Sequence, residues 1–183
     1  RSASWVRDYV RWCGGDARAY RGTLPAHLFP QWAFPAMAAG LADLPWPMTR
    51  VLNQGCRVRQ TGPLPAGEPL VLSTRLESAR EEGGKARMHQ VIQTGPERSP
   101  SALAVDMYTV VPLQRASDAP RPRRERPRVP LNAREVGRLR LGQRAGLEFA
   151  ALTGDFNPIH WVRPAARAAG FRSTILHGFA QLA

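Results

Sequence analysis

Residues 115–130 read RASDAPRPRRERPRVP, and four of these sixteen residues are proline. Proline fixes its own φ and has no amide hydrogen to give, so neither a helix nor a paired strand runs through such a segment. The chain must therefore fold as two parts joined by a linker. The boundaries that follow are 1–113, a basic Pro/Arg-rich linker over 114–131, and 132–183. From Gln114 to Arg144 ten arginines stand against Asp118, Glu125 and Glu135, which places +7 of the chain's net +12 in this stretch. Lys85 is the only lysine, so the basicity reflects a bias toward Arg as much as a binding surface. No aromatic side chain interrupts the linker, which leaves nucleic-acid bases nothing to stack on. A solvated linker is the first reading. Contact of Arg123, Arg124, Arg126 and Arg128 with an anionic ligand is the second, and nucleic acid the third.

A hydrophobic fraction of 43% in 183 residues supports a real core, in one domain or one and part of a second. No apolar run approaches the roughly 18 residues of a membrane span, and no secretory leader opens the sequence. The sequence begins at Arg1 rather than Met, which leaves the natural N-terminus open. Cys13 and Cys56 stand alone, without metal-ligand spacing, and read as reduced packing residues of a cytoplasmic protein; no metal is expected.

Before the linker, Leu28 to Leu44 is apolar enough for a buried helix whose start Pro30 and Pro35 confine. Strand-like stretches follow at 49–61, 70–81, 85–94 and 101–113, separated by Gly/Pro turns and partly alternating. The expectation is an α+β unit, an antiparallel sheet with a helix against it. After the linker, a strand over 133–141, a helix over 142–154, a short helix closed by Gly170 and the start of another at 175–183 are expected.

Within this second part, LTGDFNPIH (Leu152 to His160) holds a carboxylate, a carboxamide and an imidazole, stiffened by Gly154 and Pro158. It can be a helix entry capped by Asp155, or an active-site loop. The longer run from Thr153, TGDFNPIHWVRPAARAAGFRSTILHGFAQLA, resembles the MaoC-like acyl dehydratase and (R)-specific enoyl-CoA hydratase family over about thirty residues without a gap. FPQWAFPAMAAGL and RVLNQGCRVRQTGPLPAGE resemble the N-terminal half of its two-repeat members. The resemblance implies a hot-dog fold, a long helix wrapped by a curved antiparallel sheet, here double with the second repeat incomplete. It also implies reversible hydration of a trans-2-enoyl-CoA to an (R)-3-hydroxyacyl-CoA.

Such a hydration needs a base for water at the β-carbon, an acid for the α-carbon and donors for the enolate oxygen. Asp155 and His160, five residues apart around a Pro-stiffened turn, can share one water. Asn157 orients that water or braces the loop; Pro158 limits the loop's freedom, and Gly154 permits an unusual φ. Family behaviour gives the oxyanion contact to the Gly178 N–H, with His177 at the same helix start. No cofactor is implied beyond the coenzyme A thioester as substrate, whose phosphates the linker arginines could meet. The partner is acyl-CoA, with no nucleic acid or membrane, and homodimerisation stays open.

The first part imitates the motif at Gly15-Asp16, but Asn-Pro is absent and Arg21 stands where the histidine would be. Asp16 reads as a cap or ion-pair partner, His27 and His89 as structural, and the repeat as a degenerate copy shaping an acyl tunnel. Trp161-Val162 departs from the acidic residue many members carry there. A hot-dog thioesterase and a non-catalytic basic scaffold are the rival readings. Since the second part has little sheet and the apolar face of the last helix (Phe179, Leu182) has no cover from its own repeat, a further stretch or another chain is expected to complete it.

Overall fold

A computed structural model describes residues 3–113, 129–135, 138 and 140–182. Arg123, Arg124, Arg126 and Arg128, and most of the linker, lie outside the described residues.

The chain opens on helix α1 (Ala3–Trp12), for which the sequence reading has no counterpart. Trp5-Val6 and Tyr9-Val10 recur four residues apart and so share one face, and Tyr9 and Val10 are buried. Gly14, at φ +80°, ends the helix. Its N–H bonds the Arg11 carbonyl, and the Gly15 N–H bonds that of Val10, the paired closure a left-handed residue permits. Asp16 then caps a short 3-10 turn, accepting from the Arg18 N–H and pairing with its guanidinium.

Helix α2 (Pro30–Ala39) is shorter than the apolar run that encodes it. Pro30 suits the first position, where no amide partner is needed, and Pro35 is carried inside. Pro30, Ala33 and Met37 make the buried face. Beyond Gly40 the backbone turns repeatedly, so the expected helix to Leu44 stops early.

Four strands follow: β1 (Leu52–Gln60), β2 (Val71–Glu82), β3 (Lys85–Gly95) and β4 (Leu103–Pro112). They form one antiparallel sheet in the order β1-β4-β3-β2. Gly83 and Gly84, at φ +56° and +70°, make the two-residue β2–β3 turn, which only residues tolerant of positive φ allow. The inward side chains alternate along β3 (Ala86, Met88, Gln90, Ile92, Thr94) and β4 (Leu103, Val105, Met107). Phe29, Ala33 and Met37 pack on this face with Ile92, Leu103, Val105 and Met107. Buried Gln90 ties the layers together by donating to the Met37 carbonyl at 2.9 Å.

Beyond the linker come α3 (Ala145–Thr153), α4 (Arg163–Ala168) and α5 (Gly178–Leu182). No strand occurs among the described residues of 133–141, contrary to the expectation there. The apolar face of α5 does find cover, from the first part: Phe179 meets Phe29 edge-on, ring centroids 5.8 Å apart, while Leu182 stays exposed. Among the described residues no helix is long and apolar enough to cross a membrane.

Candidate active site

Helix α3 is anchored by α1. The Trp5 indole N–H donates to the Leu152 carbonyl at 2.7 Å and that of Trp12 to the Glu148 carboxylate at 3.3 Å. Between them Phe149 is buried against the rings of Tyr9 and Trp12. The N-terminal helix therefore fixes the platform from which the Leu152–His160 loop departs.

Gly154 ends α3 in the left-handed region at φ +81°, its N–H on the Ala150 carbonyl. The chain then reverses through two side-chain-to-backbone turns. An Asp155 carboxylate oxygen accepts from the Asn157 N–H, and the Asn157 side-chain oxygen accepts from the Ile159 N–H, each at 3.3 Å. Asn157 thereby caps the 3-10 turn Pro158–His160, with Pro158 at its first position. These contacts return Asp155 and His160 to the same side; the Asp155 carboxylate braces the turn, while the cap of the helical turn that follows is Asn157 rather than Asp155.

His160 Nδ1 lies 2.9 Å from the Ile175 carbonyl oxygen. A carbonyl only accepts, so Nδ1 carries the proton and Nε2 presents a lone pair. His177, almost fully buried, places Nε2 at 2.9 Å from the Asp155 backbone carbonyl, which likewise assigns its proton to Nε2. Its Nδ1 is buried without a partner. Burial pulls the His177 pKa below its ordinary value, outweighing the hydrogen bond to the Asp155 carbonyl, which favours the charged ring, so the ring is held neutral. The two imidazoles stack with centroids 3.6 Å apart and planes 23° apart, and Phe149 flanks His177 at 4.9 Å.

One ligating atom from each of Asp155, His160 and His177 falls within 4.8 Å of the others. One water can span such a gap with two ordinary hydrogen bonds. The spacing would also admit a metal ion, since His160 Nε2 and His177 Nδ1 keep lone pairs while the opposite nitrogens are given to carbonyls. The accessible pair is His160 Nε2 and the half-exposed Asp155 carboxylate.

A cavity of about 300 Å³ opens beside Asp155. Pro30, Phe34 and Pro35 of α2 line it together with Phe149, Phe156 and Phe179. Gly178 starts α5 next to the Asn53 side chain; a β-carbon there would come within 2.9 Å of the Asn53 amide nitrogen. The other sequence candidates lie elsewhere. His27 stacks on Tyr9 and meets Tyr20 edge-on, and His89 pairs with Asp106 at 2.8 Å on the outer side of the sheet.

A helix backed by a four-stranded antiparallel sheet, with an Asp/His loop supported by a second short helix, is the arrangement of hot-dog proteins. Residues 116–183 match the family model of the MaoC-like domain. Over 99% of its length the chain superimposes on HtdX of Mycobacterium tuberculosis (TM-score 0.75, 18% identity, 69% of that chain). It also superimposes on a MaoC-like dehydratase from Phytophthora capsici (TM-score 0.65, 18% identity, 100% of this chain and 68% of that one). The peroxisomal multifunctional enzyme type 2 of Drosophila melanogaster aligns with all of this chain and 34% of its own (TM-score 0.63, 15% identity). At these identities the likeness is one of fold. No curated protein sequence matches the chain.

Proposed function

We propose that the protein is a hydro-lyase that adds water reversibly to a trans-2-enoyl-CoA, giving an (R)-3-hydroxyacyl-CoA. The observation that carries the reading is the tautomer of His160: with Nδ1–H given to Ile175, the lone pair it can offer is on Nε2, in a ring with a nitrogen within 4.8 Å of an Asp155 carboxylate oxygen. A water held between them loses a proton to Nε2 as its oxygen bonds to the β-carbon. The π electrons move onto the thioester oxygen, and the resulting enolate collapses by taking the same proton at the α-carbon. Water is thereby divided between the two carbons and the site returns to its starting state. The Gly178 N–H is the enolate's donor in this reading, and the absence of a side chain at Gly178 lets a thioester approach. No cofactor is needed.

The apolar cavity beside Asp155 supports an acyl substrate, and the linker arginines suit the phosphates of coenzyme A. The test is a hydration assay over a series of enoyl-CoA chain lengths, following loss of the conjugated enoyl absorbance. Water addition supports the proposal; thiol release from saturated acyl-CoA without hydration would make the protein a thioesterase instead.

A further inference from the structure

We infer that His177 is a positioning residue that locks Asp155 and His160 into a single working geometry, an inference resting on the proposed hydration chemistry. One imidazole makes both contacts. Its Nε2–H holds the backbone of Asp155, and its face carries the ring of His160 at 3.6 Å. The opposite support is fixed, since Phe149 presses on His177 and is itself clamped by Tyr9 and Trp12 of α1. A side chain that merely held the start of α5 would need neither the Asp155 carbonyl nor the ring of His160. Its bare Nδ1 fits the same role. With no acceptor in reach and almost no solvent, this nitrogen stays unprotonated, so His177 does not compete with His160 for the water's proton. The stack also limits tilting of His160, and so keeps Nδ1–H on Ile175 and the lone pair on the reacting side.

Two variants separate the contacts. His177→Phe keeps an aromatic face for His160 but cannot donate to Asp155; His177→Gln keeps a donor but loses the stack. Each is expected to lower kcat ten- to a hundredfold while KM for the enoyl thioester stays within about twofold, as loss of an interaction used only by the reacting geometry requires. Melting curves establish that each is folded. Nitrogen-15 spectra of the histidines supply a readout that does not need activity: the Nδ1–H form of His160 dominates in the unsubstituted protein and gives way to mixed tautomers in His177→Gln. If the unsubstituted protein hydrates no enoyl thioester, the proposed reaction fails while the tautomer comparison still judges the positioning. Folded variants with unchanged kcat, or an unchanged His160 tautomer in His177→Gln, would overturn the inference.

Discussion

The carbonyl oxygen of His160 lies 2.0 Å from the point where a β-carbon on Gly146 would stand. Gly146 is buried in α3, and its missing side chain is the space into which the 3-10 turn Pro158–His160 sinks. A helix interior normally disfavours glycine, by about 1 kcal/mol relative to alanine. Here an alanine would have to push the His160 backbone away. Gly146→Ala is therefore expected to cost about 1–3 kcal/mol of stability despite the better helix former, and to lower turnover at least tenfold by moving His160. Melting temperature and hydration rate, measured on the same preparation, check both halves. Unchanged turnover in that variant would show that the turn can shift without harm.

Asp155→Asn and His160→Gln address the chemistry itself. Each removes one partner of the shared water, so kcat should fall by at least about a hundredfold with the fold intact. Because the two groups act on one proton transfer, the double variant should be little worse than either single one. Near-normal hydration by either folded single variant counts against the pair.

Acid should destabilise the fold in a defined window. Burial lowers the pKa of both His177 and His27 below the ordinary 6.5. Below that value the unfolded chain binds protons that the folded chain refuses, so stability falls as pH drops from about 6.5 toward the depressed values and rises again as pH is restored. Thermal midpoints between pH 7.5 and 5.5 should show this slope, and His27→Phe should flatten it. A flat profile in the parent protein would mean that neither ring is held neutral.

For the linker, Arg123, Arg124, Arg126 and Arg128 changed together to Gln should raise KM for an enoyl-CoA at low salt. KM for the matching pantetheine thioester, which lacks the nucleotide phosphates, should not move. Phosphate capture is long-ranged and screened by salt, so the difference should shrink near physiological ionic strength. If both KM values are unchanged, the linker is only solvated surface.

The sheet was legible because its inward positions obey a period of two along β3 and β4, with Gly83-Gly84 marking the hairpin. The Asp155/His160 loop was legible because its chemistry is packed into nine consecutive residues. Helix α1 does have a local signal, in the pairs Trp5-Val6 and Tyr9-Val10 and the Gly14-Gly15 stop. The cavity, the seat of Phe149 and the stack of His160 on His177 had no local signal. Each joins residues far apart in sequence, and periodicity reports only which face of its own element a residue occupies. Gly146 was visible as a residue but not as a clearance, since what it clears comes from the next turn of chain.

The two tryptophan bonds from α1 to α3 span 147 and 136 residues. Contacts that distant are closed late in folding, because the entropy of joining the ends must be met before the contact rewards it. The strands of the sheet, mostly paired with sequence neighbours, can zip without them. Refolding should then pass through a stage in which the sheet is formed while the indoles of Trp5 and Trp12 are still solvated, with any hydration activity arriving only as both signals become native. Helix α3, from which the Asp155 loop departs, thus waits on the first helix of the chain, so proteolytic loss of residues 3–12 should leave the sheet in place and the loop without its anchor.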